Sequence, residues 1–163
     1  MRFTLLLLCF VVSAAQSAVG QAELAGIDLT APKMTEAELS RDEVVAMIAA
    51  GGVVDLSGRW LNGLDLSGLD LSGAVLRVAG LNNANLSGTT LKGANLDQAW
   101  LLGADLSEAD LSDASLFQTQ FGRANLSGAD LSGSRAASNF IGANLAGADF
   151  SGTTLDDEAT TAI

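Results

Sequence analysis

A five-residue period runs through most of the chain and constrains its fold more than any other feature. From Leu56 to Leu131 a Leu or Phe recurs at every fifth position, which makes sixteen consecutive units in register. A four-residue unit, Ser134 to Ala137, then shifts the register by one. The shifted register continues at Phe140, Leu145, Phe150 and Leu155. Neither a helix, with 3.6 residues per turn, nor a strand, whose side chains alternate with a period of two, has this spacing.

Two positions before each large apolar residue, the side chain is usually small. This set comprises Ala74, Ala79, Ala84, Ala94, Ala99, Ala104, Ala109, Ala114, Ala124, Ala129, Ala143 and Ala148. A single unit cannot bury its apolar side alone, so successive coils must stack and share backbone hydrogen bonds. The Gly that often follows Ser suits a tight corner, because Gly tolerates positive φ. The repeat therefore predicts a solenoid in which each unit buries one large and one small side chain.

Units of the form Ala-(Asp/Asn)-Leu-Ser-Gly resemble those of the pentapeptide-repeat family, over about two-thirds of the chain. The resemblance implies an all-β solenoid, a right-handed quadrilateral β-helix with four units per coil and the central and small residues inward. On that basis we expect about five coils, roughly 24 Å long at the usual strand spacing. Arg59, Leu64 and Leu69 replace the small inward residue in the first coil, which is therefore expected to be wider or to meet a cap.

Segment 35–52 is predicted to form that cap as one N-terminal α-helix. Thr35 with Glu38, and Ser40 with Glu43, both have the spacing of a capping box. Apolar residues recur at helical spacing between them and the Gly51-Gly52 pair, which favours the end of a helix. We expect the helix to protect the open edge of the repeat domain, 53–157, which a short tail, 158–163, follows.

The N-terminus has the pattern of a secretory signal peptide, assigned to residues 1–20 with cleavage near residues 15–22. Arg2 precedes the apolar run Phe3–Val12 and a stretch of small residues. The run is too short to remain as a membrane anchor. A small-residue linker, 21–34, follows, and the protein is expected to be periplasmic or secreted. In the competing interpretation, Met34 is the true start of a cytoplasmic protein.

The composition excludes several kinds of catalytic and metal site. The chain has no His, and its single Cys, Cys9, lies in the apolar run of the signal peptide. Ser-His and Cys-His nucleophiles, disulfides and Cys/His metal sites are therefore ruled out for the mature protein. The repeated Asp-Leu-Ser-Gly lacks the ligand spacing of calcium-binding repeats and EF-hand loops. We expect no enzymatic activity, no cofactor and no bound metal.

Two faces of the implied β-helix are acidic. We name each face by its first central residue: the Leu56, Leu61, Leu66 and Leu71 faces. The candidate acidic face is the Leu71 face, with Asp70, Asp110, Asp113, Asp130 and Asp149. The neighbouring Leu66 face adds Asp65, Asp105 and Glu108, so that the two faces together carry eight acids and one base, Lys92.

The other two faces carry apolar residues at outward positions. The candidate partner surface consists of Trp60, Trp100, Leu102 and Ile141 on the Leu61 face and Phe117 on the Leu56 face. An exposed apolar stripe of this kind is typical of a protein contact surface. The alternative is that Trp60 packs under the capping helix and Trp100 is merely tolerated.

Two functions are compatible with these features. The first is a non-enzymatic binding or scaffolding module outside the cytoplasm, with an unknown protein partner on the Trp60/Trp100 face. The second depends on a start at Met34: some members of the family imitate DNA and inhibit type II topoisomerases. The net charge of -11 argues against direct binding of nucleic acid. The oligomeric state stays open.

Overall fold

The computed structural model describes residues 36–155. The predicted signal peptide (1–20), the linker (21–34) and the tail (158–163) lie outside the described residues, as does the alternative start at Met34. Within the described range, no helix is long and apolar enough to cross a membrane.

The repeat is held together by four ladders of single parallel bridges, one on each face. The bridge residues are Asp55, Val75, Asn95, Ser115, Arg135 and Thr154 on the Leu56 face; Trp60, Gly80, Trp100, Gln120 and Asn139 on the Leu61 face; Asp65, Asn85, Asp105, Asn125 and Asn144 on the Leu66 face; and Asp70, Thr90, Asp110, Asp130 and Asp149 on the Leu71 face. Successive residues of a ladder are 20 positions apart, or 19 where the four-residue unit intervenes. Because each unit turns a corner, the β-structure of residues 36–155 consists of isolated bridges, and none of them extends into a strand.

Backbone hydrogen bonds connect each unit to the coil on either side. The N–H of Leu76 donates to the carbonyl of Asn95 at 2.7 Å, and the N–H of Asn95 donates back to Ala74 at 2.9 Å. The N–H of Ala79 closes the corner on the carbonyl of Leu76 at 3.1 Å. The central residues from Leu56 to Leu131 are buried along the axis of the solenoid, with the small residues beside them. Tens of buried apolar side chains thus form one narrow core.

The four-residue unit near the C-terminal end changes the filling of this core. Its central position holds Ala136, which is buried, instead of Leu. Three aromatic rings lie in the same region: Phe121 and Phe140 stack with centroids 5.0 Å apart, and Phe140 meets Phe150 edge-on at 5.8 Å. Large rings therefore occupy the core where the repeat is one residue short.

The N-terminal helix, α1 (Arg41–Ala49), is shorter than the segment predicted for it. Ser40 is the N-cap and forms a capping box with Glu43, whose side chain accepts from the N–H of Ser40 at 2.7 Å. Val44 is the buried residue of α1 and belongs to the core cluster. Gly51 and Gly52, both at positive φ, follow the helix.

The segment around α1 satisfies backbone groups at the open edge of the first coil. Ala37 forms an antiparallel bridge with Leu61, and the N–H of Glu38 donates to the carbonyl of Trp60. The guanidinium of Arg41 donates to the carbonyls of Asp65 at 2.9 Å and Ser67 at 2.8 Å. These groups have no preceding coil to pair with, and unpaired edges invite association with other chains.

In the first coil, large residues occupy inward positions where other coils have small residues, and they differ in burial. Leu64 and Leu69 are partly buried against the core. Arg59 is exposed instead, and its guanidinium lies 3.9 Å from the carboxylate of Glu38. The segment before α1 therefore lies next to the first coil at Arg59.

Candidate functional site

Trp60 and Trp100 share one ladder but have different surroundings. Gly80 lies between them in the ladder, and a Cβ there would come within 2.5 Å of Cε3 of Trp60. The Trp60 ring thus lies over the Gly80 backbone, and its own backbone pairs with the segment before α1. Both rings are half-buried. Trp60 thus packs against its own chain at Gly80, whereas Trp100 is followed in the ladder by Gln120.

Leu102 and Ile141 lie one position after the central residue on the same Leu61 face. In the first coils this position holds Asn62, whose side-chain oxygen accepts from the N–H of Asn82 at 2.9 Å; Asn82 in turn accepts from the N–H of Leu102 at 3.1 Å. The row of Asn side chains ends at Leu102, and in later coils Leu102 and Ile141 occupy this position with apolar side chains. Leu102 is 41% exposed and Ile141 is 50% exposed.

Phe117 lies on the adjacent Leu56 face and is 37% exposed. Its N–H donates to Asp97 Oδ1 at 3.1 Å, and the hydroxyl of Ser115 donates to the same oxygen at 2.7 Å. The backbone beneath Phe117 is therefore fixed while its ring meets solvent. Four predicted surface residues thus share one face, and the fifth lies on the neighbouring face.

The five predicted surface residues do not include one corner of this surface. Val78, Gln98 and Gln118 follow one another at the corner between the Leu56 and Leu61 faces, and we call this row the Val78 corner. All three have positive φ, of 59°, 60° and 55°. The signal was present in the sequence, because most other units have Gly at this position.

The acidic residues of the Leu71 face serve the turns. Oδ1 of Asp70 accepts from the N–H of Ser72 at 3.0 Å and from its hydroxyl at 2.6 Å. The carboxylates of Asp110, Asp130 and Asp149 accept from the serine N–H two residues later at 2.8–2.9 Å. Asn residues on the Leu66 face do the same, as Asn85 does with Ser87 at 3.1 Å. The role of this position in the turn therefore requires a side-chain oxygen but no charge.

Asp113, the remaining member of the acidic face, lies at a corner. Its carboxylate is 3.8 Å from Nζ of Lys92, and Oδ1 lies over Gly133. Both partners are exposed, so this ion pair contributes little to stability. Lys92 is thus the base that interrupts the row of acids.

The hydrogen bonds to Ser72 and Ser132 lower the pKa values of Asp70 and Asp130. The same cause lowers the pKa values of Asp55 and Asp65, while at Asp105 the backbone N–H of Ser107 is the main cause. These carboxylates stay ionised at neutral pH, whereas a general acid needs a raised pKa. Among residues 36–155, no group of three or more acidic, His or Cys side chains is arranged to hold a metal ion.

The lowered pKa values predict that stability falls in acid. Near the ordinary Asp pKa of 3.8, these carboxyls bind fewer protons in the folded protein than in the unfolded chain. Their contribution to stability is therefore present above that pH and is lost as the pH falls through their lowered pKa values in the folded protein. We expect the urea midpoint to decrease below about pH 4. The double variant Asp70→Asn/Asp130→Asn should show a smaller decrease, because Asn keeps the turn bond.

Urea titrations of both proteins followed by circular dichroism at several pH values would test this. High salt is the control, because it screens repulsion between surface charges and leaves short hydrogen bonds in place. An acid dependence that is equally steep in the variant would contradict the role assigned to the two turn bonds.

Comparison with known proteins gives one consistent family. The family model described as pentapeptide repeats matches eight copies over residues 54–88, 70–107, 101–133 and 136–157. A pentapeptide repeat protein from the thylakoid lumen of Arabidopsis thaliana is 31% identical, with a TM-score of 0.50, over 74% of this chain and 77% of that protein. No match was found among curated proteins.

Two cyanobacterial structures are also similar. A pentapeptide repeat protein from Nostoc PCC 7120 is 31% identical with a TM-score of 0.51, over 68% of this chain and 75% of that protein. Rfr23 from Cyanothece 51142 is 26% identical with a TM-score of 0.50, over 63% and 88%. These neighbours imply that the solenoid is a right-handed quadrilateral β-helix.

Proposed function

We propose that this chain, which belongs to the pentapeptide-repeat family, is a non-enzymatic protein-binding or scaffolding module that acts outside the cytoplasm. The observation that carries the proposal is the distribution of exposed apolar side chains. Val78, Leu102, Phe117 and Ile141 are all exposed on the Leu56 and Leu61 faces. Between residues 54 and 155, no large apolar side chain on the Leu66 and Leu71 faces is exposed; Val53, which precedes the first unit, is exposed.

The β-helix of about five coils, with α1 over its first coil, is the rigid frame of this function. Side chains at outward positions of a regular solenoid keep fixed distances along each face, and such repeats use extended surfaces for binding. Apolar residues on these surfaces are tolerated in a soluble protein when a partner covers them. The side chains around Trp100 are therefore the proposed contact, and aromatic residues are enriched among the residues that dominate binding energies.

Export is the second part of the proposal and rests on the N-terminal sequence. Arg2 followed by the apolar run Phe3–Val12 is typical of a signal peptide. The Arabidopsis relative comes from the thylakoid lumen, so one similar pentapeptide repeat protein occupies a compartment other than the cytoplasm. No membrane anchor is proposed for the mature protein.

Replacing Trp100 by Ala tests the contact surface. We expect about a tenfold loss of affinity for proteins that the native protein retains from an envelope extract, because a large half-buried ring leaves the centre of the contact. The matched control is Thr90→Ala, which removes an outward bridge residue from the opposite Leu71 face. Retention of the same proteins in the same amounts by all three proteins would contradict the proposed surface.

The second candidate function is imitation of DNA by the acidic faces. It is supported by the eight carboxylates of the Leu66 and Leu71 faces, of which Asp65, Asp70, Asp105 and Asp130 have lowered pKa values. It requires a cytoplasmic protein that starts at Met34. Sequencing the N-terminus of the protein isolated from each cell fraction separates the two candidates, since a protein cleaved near residues 15–22 outside the cytoplasm excludes the second.

A further inference from the structure

The Val78 corner differs from the other three corners of the β-helix. In the first coil this corner has Gly58, but the next three coils have Val78, Gln98 and Gln118, all at positive φ. L-residues adopt this conformation at a cost, and a β-branched residue such as Val does so very rarely. The chain therefore keeps three consecutive side chains where glycine would be easier to accommodate.

At the other corners, each non-glycine residue is followed in the next coil by a glycine beneath its side chain. Asn83 lies over Gly103, and Glu108 lies over Gly128. Asp113 and Arg123 are likewise followed by Gly133 and Gly142. The Val78 corner has no glycine between its three side chains. Nε2 of Gln98 donates to Oε1 of Gln118 at 3.2 Å, so these two side chains are in direct contact. Backbone strain that packing does not explain is often found at functional surfaces.

The Val78 corner borders the exposed apolar residues. Val78 is 48% exposed, and it lies in the coil between those of Trp60 and Trp100. Phe117 directly precedes Gln118 and is exposed beside it. The ladder of Trp60, Gly80 and Trp100 lies next to the Val78 corner. Together they form one continuous strip across the Leu56 and Leu61 faces.

Arginines flank this strip, and two of them have no described ion pair. Within residues 36–155, Arg77 and Arg123 form no salt bridge and donate no side-chain hydrogen bond. Arg77 directly precedes Val78, and both arginines are exposed. The carboxylate of Asp97, on the same face, is engaged by Ser115 and Phe117. The strip therefore combines apolar side chains with two arginines that form no described ion pair, in a protein whose net charge is -11.

We propose that the Val78 corner, with Arg77, Arg123, Phe117 and Trp100, docks an acidic protein segment that also carries apolar side chains. This inference rests on the proposed protein-binding function and names the chemical class of the partner. Charge complementarity favours an acidic partner, and the exposed rings need apolar groups to cover them.

The acidic faces of a second copy do not meet both requirements. Between residues 54 and 155, the Leu66 and Leu71 faces expose no large apolar residue. Nucleic acid supplies the negative charge, but the eight carboxylates on the remaining faces oppose its approach. An acidic segment of another protein is the occupant that fits the strip.

The test uses the purified protein and three labelled peptides of equal length, followed by fluorescence polarisation. The peptides alternate Leu or Phe with Glu, with Lys or with Gln. We expect the Glu peptide to bind about tenfold more tightly than the Gln peptide, with the Lys peptide weakest, and added salt to weaken the Glu peptide most. An affinity that does not depend on peptide charge would overturn the acidic class.

Charge reversal gives the sharper result. In Arg77→Glu/Arg123→Glu we expect the order to invert, so that the Lys peptide binds most tightly. Should this variant fold poorly by circular dichroism, Arg77→Gln/Arg123→Gln is used, and the preference for the Glu peptide should disappear. An unchanged order in the folded variant contradicts the proposal.

Three further measurements separate this inference from the proposed function. If the native protein binds all three peptides equally and Trp100→Ala abolishes this binding, the binding surface is supported, but the assignment of an acidic partner is wrong. If Trp100→Ala changes no binding, the proposed function itself fails. Tighter binding of an oligothymidylate than of the Glu peptide, or a dimer in sedimentation that Arg77→Glu/Arg123→Glu dissociates, would replace the acidic segment by nucleic acid or by a second copy.

Discussion

Replacing Phe140 by Ala should lower the free energy of unfolding by about 3–5 kcal/mol, as for other large-to-small changes in cores. Phe140 is the middle ring of the aromatic cluster, stacked on Phe121 with an interplanar angle of 3° and edge-on to Phe150 at 81°. Its removal exposes both neighbours and leaves a cavity in the coil that already has Ala136 at a central position. Aromatic pairs add about 0.5–1.5 kcal/mol beyond burial of their area.

The matched control is Phe140→Leu, since Leu occupies most other central positions. We expect a loss of about 1–2 kcal/mol, because Leu restores the volume only in part. A compensating variant is available in Ala136→Val. It should recover stability in the Phe140→Leu background and destabilise the native protein, where the rings already fill the core.

Urea unfolding of the purified variants measures the total loss, and hydrogen exchange locates it. A solenoid is stabilised mainly by contacts between neighbouring coils, so protection should fall first at the amides of Asn144 and Asp149. Equal loss of protection at Leu76 would show that the coils unfold as one unit. A cost near zero for Phe140→Ala would mean that the cluster does not fill the shortened coil.

The interior of the fold follows from the period alone. Because every unit has the same hydrogen bonds, one assignment of Leu76 to the inside places all other central residues inside as well. The four units per coil that the family resemblance implies then place Trp60, Gly80 and Trp100 in one column. A repeat thus turns sequence spacing directly into spatial order, which ordinary domains do not allow.

Features that break the period could not be read in this way. The two hydrogen bonds of Arg41 to the carbonyls of Asp65 and Ser67 depend on where the cap lies, and no repeat specifies that position. The packing of Trp60 over Gly80 depends on a rotamer. The candidate site is also set by such exceptions, since Leu102 stands where the two preceding coils have Asn, and Val78 stands where the first coil has Gly.

The corner residues of a single coil allow a direct measurement of the strain at the candidate surface. Val78, Asn83, Gly88 and Gly93 are the four corners of this coil, with φ values of 59°, 56°, 61° and 64°. The backbone conformation is therefore nearly the same at all four, and only the side chain differs. An L-residue in this region costs about 1–2 kcal/mol, and a β-branched residue is at the upper end.

We expect Gly88→Val to lower the free energy of unfolding by about 2 kcal/mol. A Cβ at Gly88 would meet no atom within 4 Å, so the cost comes from the backbone and not from a clash. Val78→Gly should have the opposite sign and raise stability by up to about 1 kcal/mol. Its gain is smaller because Gly loses more conformational entropy on folding, by about 0.5–1 kcal/mol.

Thermal and urea unfolding of the two single variants and of the swap Val78→Gly/Gly88→Val provide the test. The result decides how the Val78 corner is understood. If Val78→Gly stabilises the fold and weakens binding of the Glu peptide, the chain keeps a strained valine for its contact with a partner. If Val78→Gly destabilises the fold, Val78 stabilises the β-helix by packing, and the corner needs no functional explanation.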